Sequence, residues 1–499
     1  MNLKSSLSKD FPASLVVFLV ALPLSLGIAV ASGAPVRAGL IAAIIGGIVV
    51  GIAGGAPLQV SGPAAGLSVM IFGFVQKFGF ETTCLIAAIA GLLQIAAGSA
   101  GIAQAALAIS PSVLHAMLAG IGILIALGQM HVMLGHGPKG SAFANITGLG
   151  DSLAHVNTGA LIVGGTTLFV LIAWNRFFAK KVPFLPGSLV AIALGTAVSF
   201  LVPGEIPHVQ IASGLFGELH APTMGSADLE SLVLGGLALF VVASAESLLC
   251  AVATDQLHSG ARANLNRELF AQGLGNLLSG LVGGLPITGV IVRSSANIAA
   301  GARTRMSAIL HGVWMLLFVV LASGLLARVP MAALAALLVH VGLSLVKLKE
   351  LRKIAEFNEA LIYGVTLAGV VFINLLWGIG IGFGLALVLL LRRTAAVDLL
   401  VETHGEELLA TLTGTLSFLA VPSVVSKLRA LPAGRTVHLR FDVTQIDHAS
   451  IEAIRGWRVS YQNAGGRVVK QSLDVLWREL RAPVAPSANN PPAAPAVAA

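Results

Sequence analysis

From Phe11 to Leu391 the chain is one apolar stretch after another, broken only by short polar or Gly/Pro-rich intervals. Nothing constrains its fold more. About 20 apolar residues in a row span a bilayer as a helix. Fourteen candidate segments follow one another, near 12–31, 36–54, 64–80, 82–104, 112–134, 159–178, 184–202, 230–253, 266–283, 288–302, 306–327, 329–346, 360–375 and 377–391. Only 10% of the 499 residues are charged and the mean hydropathy is +0.91, where an ordinary soluble domain carries about 25% charged residues. Too few polar side chains remain to cover a water-facing surface, so most of the protein faces lipid. Fifty-seven glycines against two tyrosines fit close-packed membrane helices, not a porin-type barrel with its aromatic girdles.

Charge fixes the orientation. With fourteen spans and a cytoplasmic N-terminus (residues 1–10), the inner loops hold fifteen basic residues, among them Lys4, Lys9, Arg176, Lys180, Lys181, Arg262, Arg267, Arg303, Arg305, Arg392 and Arg393. The outer loops hold four, Arg37, Lys77, Lys139 and Arg328. This is the positive-inside asymmetry, and it accounts for the net charge of +8 without a nucleic-acid partner. The expectation is a multi-pass protein of the cell inner (cytoplasmic) membrane with both termini in the cytoplasm. The first apolar run is long and lacks a small-residue cleavage pattern, so it reads as a retained helix. Cys84 and Cys250, the only cysteines, lie in apolar runs, which excludes a disulfide framework and a cysteine metal site.

Beyond the transmembrane domain expected at 11–393, composition changes. Residues 397–480 read as a small cytoplasmic α/β unit, with strand-like Leu408–Leu416, Thr436–Val443 and Gly466–Gln471 and helix-like Pro422–Leu431 and Ser450–Gln462. The Ala/Pro-rich tail 482–499 cannot bury a core and is expected to be disordered.

Two membrane segments open unusually. The third is preceded by Pro57-Leu-Gln-Val-Ser-Gly-Pro-Ala-Ala-Gly66, and the tenth by Gly283-Gly-Leu-Pro-Ile-Thr-Gly-Val-Ile-Val-Arg293. They hold the same place in each half of a seven-plus-seven count, and seven is odd, so the halves are inverted repeats. Matched Pro/Gly-interrupted segments are the best sequence pointer to a transporter's binding site. Leu58–Val60 is expected to run extended and Ser61-Gly62-Pro63 to turn it into a half-helix, with Pro63 in the first helical turn; Thr288-Gly289 plays that part in the second half. Two half-helix N-termini meeting at mid-membrane present unpaired N–H groups and positive dipole ends, which attract an anion. The expected site therefore takes in Gln59, Ser61, Gly62, Pro63 and Ala64 from one half, and Thr288, Gly289, Val290, Ile291 and Arg293 from the other.

Arg293 falls about a turn and a half into the tenth segment, where a buried guanidinium is costly and usually functional. Glu246 is the only acid deep in the eighth segment, on a face shared with Ala243 and Cys250. A carboxylate beside a bound anion favours its protonated form through desolvation and like charge, which is the logic of proton–anion symport. His115, His311, His340, His131, His136 and His155 read as packing or loop residues; His131 and His136 are five apart, off register for a shared metal. No nucleophile–base set and no phosphate-binding loop occurs, so neither an enzyme nor a cofactor is expected. The charge run Lys347–Glu359 reads as a solvated inner loop.

The chain resembles the SulP family of anion transporters, the sulfate permease family related to pendrin and prestin. The resemblance rests on Ala21-Leu-Pro-Leu-Ser-Leu-Gly-Ile-Ala29 with Ser32-Gly33 and Gly39-Leu40, on Gln59-Val-Ser-Gly-Pro63, on Ala245-Glu246-Ser-Leu248, and on Arg293. It implies the fourteen-segment inverted-repeat fold shared with nucleobase permeases, with a core and a gate and an anion held between the third and tenth half-helices. It also implies a cytoplasmic STAS domain, a homodimer, and a substrate among sulfate, bicarbonate, chloride and dicarboxylates. Two departures stand out. The STAS-like unit is short, without the family's last strand and helix, and Asp447-His-Ala-Ser450 lacks the serine directly after aspartate that related anti-sigma antagonists phosphorylate. The reading is thus a secondary active anion transporter, proton-coupled through Glu246. Its rivals are a sodium-coupled symporter, an anion channel and a nucleobase permease, the last at odds with Arg293.

Overall fold

Each expected apolar segment forms a helix in the computed structural model, which describes residues 3–104, 110–139, 141–179, 181–182, 184–209, 222–225, 227–347, 354, 356, 359–394 and 397–470. The expected disordered tail, the end of the STAS-like unit at 471–480, and most of the charge run 347–359 lie outside these residues.

The first half runs α1 (Leu3–Ala31), α2 (Val36–Ile45), a short strand β1 (Ser61–Pro63), α3 (Ala65–Phe78), α4 (Phe80–Ser99), α5 (Pro111–Met133), α6 (Ala142–Ala154), α7 (Thr158–Ala173) and α8 (Gly187–Ser199). The second half repeats the plan: α9 (Leu229–Gln256), α10 (Leu265–Leu281), β2 (Ile287–Gly289), α11 (Ile291–Ala299), α12 (Met306–Leu326), α13 (Met331–Leu345), α14 (Ala360–Phe372) and α15 (Leu375–Thr394). Segments three and ten are thus the two interrupted ones, each a strand followed by a short helix. α2 continues through a π-helical turn at Gly46–Val50, where Gly47 packs on Gly312 of α12 so closely that a Cβ would stand 2.6 Å from its Cα. π-turns inside helices often mark functional places.

α6 corrects the expectation of a plain outer loop between the fifth and sixth segments. Its N-terminus is capped by Ser141, whose side chain accepts from Ala144 N–H at 3.1 Å. The helix carries Asn145, Thr147, Asp151 and Ser152, which is why a search for apolar spans passes over it.

The chain divides into two compact units, residues 1–383 and 384–499. In the second, β3 (Val397–His404), β4 (Glu407–Leu416), β5 (Thr436–Ile446) and β6 (Arg467–Lys470) form a sheet in that order, with α16 (Val421–Arg429) and α17 (His448–Asn463) as its helices. β3 pairs antiparallel with β4, and β4–β5 and β5–β6 are parallel. The alternation of Leu408, Ala410 and Leu412 against Val437, Leu439 and Phe441 puts these side chains in one core with Val424, Leu428, Ile454 and Trp457. β3 is an added strand beyond the sequence expectation. Its Leu400 and Val401 are exposed, so burial does not sharpen its alternation.

Candidate anion-binding site

The two interrupted segments meet. β1 and β2 pair antiparallel, Ser61 with Gly289, Gly62 with Thr288 and Pro63 with Ile287. This is the pairing that inverted repeats crossing at mid-membrane produce. The extended stretch lies three residues later than expected, at Ser61–Pro63 instead of Leu58–Val60, and Pro63 belongs to the strand, not to the first helical turn. Hydrogen bonds from the second half fix this register. Val290 N–H donates to Val60 O at 2.9 Å, Ser294 Oγ accepts from Val60 N–H at 2.9 Å, and Asn297 Nδ2 donates to Leu58 O at 3.1 Å. Proline suits a two-stranded ribbon because it has no N–H to leave unpaired. Thr288 and Gly289 likewise lie in β2, so α11 begins later than expected.

Ala64 and Val290, the residues before α3 and α11, are extended, and neither helix has a side-chain cap. By helix geometry the first N–H groups of each find no acceptor inside the helix. Two bare N-termini therefore open on either side of the ribbon.

Arg293 stands in the first turn of α11, nearer the N-terminus than a turn and a half, because the helix starts only at Ile291. It is completely buried. Nη2 donates to Ser25 Oγ of α1 at 3.1 Å and to Pro63 O at 3.2 Å, tying the first, third and tenth segments together. Nε and Nη1 have no hydrogen-bond partner. Gly62 makes room for this group, since a Cβ there would collide with Nη1.

Glu246, in α9, approaches the other half-helix. A Cβ on Gly66 would stand 2.6 and 2.9 Å from its two carboxylate oxygens, so the carboxylate lies over the first turn of α3. Its Oε2 is buried without a hydrogen-bond partner. Nearby hydroxyls are already engaged: Ser247 Oγ accepts from Gly289 N–H at 3.3 Å, Ser244 Oγ from Gln94 Nε2 at 3.2 Å, and Thr288 Oγ1 donates to Gly289 O at 3.3 Å.

Not every expected residue presents its side chain to this place. Ser61 Oγ accepts from Gln272 Nε2 at 2.7 Å and Gln59 Nε2 donates to Glu268 Oε1 at 2.8 Å, so both side chains bond to α10. The Ile291 side chain is exposed. Of the histidines, His311 in α12 is buried with neither ring nitrogen hydrogen-bonded, and His131 is bonded on both sides, to Ser152 Oγ and Asn145 O. Residues that sequence reasoning passed over are Ser25, Gln94, Glu268, Gln272, Asn276, Ser294 and Asn297. Glu268, Gln272 and Asn276 carried a readable signal, three polar residues four apart inside an apolar segment.

A cavity of about 520 Å³ begins one helical turn beyond Gly66. It lies between Met70, Gly73 and Lys77 of α3, Leu234 and Ala238 of α9, Leu124 of α5, and the α14–α15 turn. It is largely apolar.

A helical membrane domain with paired half-helices and a buried cation between them defines a transporter fold. The chain belongs to the sulfate permease family, whose sequence profile matches residues 7–366. It is 28% identical over 485 residues to the bicarbonate transporter BicA of Picosynechococcus sp., covering 89% of this chain and 84% of that protein. It is also 28% identical over 412 residues to the putative sulfate transporter YvdB of Bacillus subtilis, covering 80% and 76% respectively. Among solved structures, the transmembrane domain of a cyanobacterial BicA aligns with a TM-score of 0.68 at 27% identity, over 75% of this chain and 98% of that one. Murine Solute Carrier 26 family member A9 in its inward-facing state aligns with a TM-score of 0.79 at 15% identity, over 96% of this chain and 88% of that one. This last likeness is one of fold, and it extends through the small β-containing C-terminal region, which fits a STAS-like domain.

Proposed function

We propose that the protein is a secondary active transporter of a small oxyanion, sulfate, hydrogencarbonate or a dicarboxylate, working by proton symport. The observation that carries this is Arg293, completely buried between two uncapped half-helix N-termini with Nε and Nη1 unpartnered. A guanidinium offers fixed charge and paired N–H donors to a carboxylate- or sulfate-like ligand. The dipole ends of α3 and α11 add to the same sign. Gly62, Pro63, Ala64, Gly289 and Val290 contribute backbone to this site, and the relatives named for bicarbonate and sulfate transport support the substrate class.

Glu246 supplies the coupling. Its carboxylate lies over the α3 N-terminus, where an incoming anion meets like charge. A proton on Glu246 removes that repulsion, so anion and proton bind together. Sodium is the second reading, since Ser244, Ser247 and Thr288 keep oxygen lone pairs beyond these hydrogen bonds, but Ala243 and Cys250, on the face shared with Glu246, offer it no side-chain oxygen. Alternating access follows from movement of a core built on α1–α4 and α9–α12 against a gate of α5, α7, α8 and α13–α15. The cavity above Gly66 is one route to the site. We assign residues 11–393 to transport and 397–480 to a cytoplasmic STAS-like domain, in a homodimer in the cytoplasmic membrane with both termini inside.

The test is anion accumulation in vesicles with pH and sodium gradients imposed separately. An inward proton gradient is expected to drive uptake without sodium, and Glu246→Gln to give uptake that no longer follows the gradient. Strict dependence on sodium with no response to pH would remove the proton assignment.

A further inference from the structure

One helix that lends no residue to the anion site touches both of its halves. Glu268, Gln272 and Asn276 lie four residues apart on α10, all buried, and so share one face over about 12 Å of helix. Glu268 Oε2 accepts from Gly55 and Ala56 N–H at 2.8 and 2.9 Å, and Oε1 from Gln59 Nε2 at 2.8 Å, which holds the approach to β1. Gln272 Nε2 donates to Ser61 Oγ in β1 at 2.7 Å and to Glu268 Oε1 at 2.8 Å. One turn on, Asn276 takes both backbone groups of Ile287 in β2, donating to its O at 2.9 Å and accepting from its N–H at 2.6 Å. Asn276 Nδ2 also donates to Gln94 Oε1 at 2.8 Å, and Gln94 reaches Ser244, two residues before Glu246.

α10 itself is locked to α4. A Cβ on Gly273 would stand 2.6 Å from Ile95 N, one on Gly98 2.6 Å from Phe270 N, and one on Gly280 2.5 Å from Cys84 O. Such backbone-to-backbone contact leaves the helix little room to rock.

We propose that Glu268, Gln272 and Asn276 are positioning residues for anion binding, a polar ladder that sets the two half-helix N-termini against each other from one rigid helix. This rests on the anion-site reading above. The ribbon cannot do the task alone: it has three residue pairs, one involving a proline that donates nothing. A two-stranded ribbon of that size is marginal without added support. The ladder supplies that support, and Asn276 acts on Ile287 as a third strand would. Arg293 sits six residues beyond Ile287, so a shift of β2 carries the guanidinium with it.

The experiment uses the full-length protein in proteoliposomes, with tracer sulfate and tracer hydrogencarbonate as probes. Amide hydrogen exchange is followed in peptides covering 283–293 and 84–98. In Asn276→Ala the apparent KM is expected to rise about tenfold, as sub-ångström to ångström misplacement of a binding group does. Exchange at Ile287 should quicken while the α4 peptides stay unchanged. In an Arg293→Lys background the same substitution is expected to add less than about threefold, because coupled residues act non-additively. An unchanged KM, unchanged exchange at Ile287, or equal fold-losses in both backgrounds would overturn the proposal. Should Asn276→Ala fail to assemble, Gln94→Met replaces it, since it keeps the bonds from Asn276 to Ile287 and removes the two that Gln94 makes, to Asn276 of the ladder and to Ser244 of α9. A rise in KM of about threefold is then expected, and no rise overturns the ladder. Wild-type anion binding in Arg293→Ala would sink the site itself, whereas loss there with normal Asn276→Ala and Gln94→Met would sink only the ladder.

Discussion

Arg293 uses only one of its guanidinium nitrogens, Nη2, in the fold; Nε and Nη1 are buried and unpartnered. A charge buried in that way costs stability, so its removal should relieve strain on folding even as it damages binding. Arg293→Ala is therefore expected to insert and fold normally while anion affinity falls about thirtyfold or more, the loss of about 2 kcal/mol that hydrogen bonds to a charged group carry. Equilibrium binding of sulfate and hydrogencarbonate to the purified variant checks this, and unchanged affinity would take Arg293 out of the site. The residue was legible in the sequence because an arginine inside an apolar segment is conspicuous. Its partners were not. Ser25 in α1 is one hydroxyl among many small residues of a helix, and nothing in its neighbours announces a contact 268 residues away.

At the level of single elements, the matched Pro/Gly interruptions located both half-helices, but the starts of those helices were set by contacts that a linear pattern does not contain. Pro63 lies in a strand because Val60 is held by Ser294 and Val290 from the other half. Local preference for Pro in a first helical turn loses to that tertiary pairing. In the C-terminal unit the local signal suffices. Asp447 caps α17 by accepting from Ser450 N–H at 2.8 Å, and it also accepts from Phe418 N–H at 2.5 Å. Partial burial pushes its carboxyl up, but the hydrogen bonds from Ser450 and Phe418 outweigh it and hold the carboxyl below its ordinary value near 3.8. A depressed carboxyl stabilises the fold above the unfolded value and loses that contribution as pH falls through the folded one. Asp447→Ala is thus expected to cost about 1 kcal/mol of stability at neutral pH, and the difference from wild type should shrink as pH falls through and below the ordinary carboxylate range. Thermal melting followed by tryptophan fluorescence, in a background that keeps Trp457 and replaces the chain's other four tryptophans with phenylalanine, measures both. A cost that persists unchanged in acid would show that the carboxylate's charge is irrelevant to the cap.

For the molecule as a whole, apolar run-lengths and inside–outside charge carried the fourteen-segment plan, since lipid exposure and loop charge act on each segment separately. Cross-segment polar bonding, which holds β1 and β2 from α10, depends on which helices touch and was legible only as an unexplained row of polar residues at 268, 272 and 276. The same division of the chain leads to a last expectation. The two units have separate apolar cores, one centred on residues such as Leu26, Leu67 and Leu239 and the other on Leu412, Leu439 and Trp457. Every residue of the proposed anion site falls between Ser25 and Asn297, within the first unit. The half-helix N-termini, the buried guanidinium and the carboxylate proposed to couple are therefore all present without the C-terminal sheet, as transporter sites between membrane helices generally are. Truncation after residue 396, which keeps α15 whole, is expected to leave a folded membrane domain that binds anion with wild-type affinity and transports it at a reduced but measurable rate. Size-exclusion behaviour in detergent establishes folding, and anion binding and proteoliposome uptake are then measured on the same preparation. A truncated protein that is monodisperse yet no longer binds either anion would mean that the C-terminal unit sets the shape of the site.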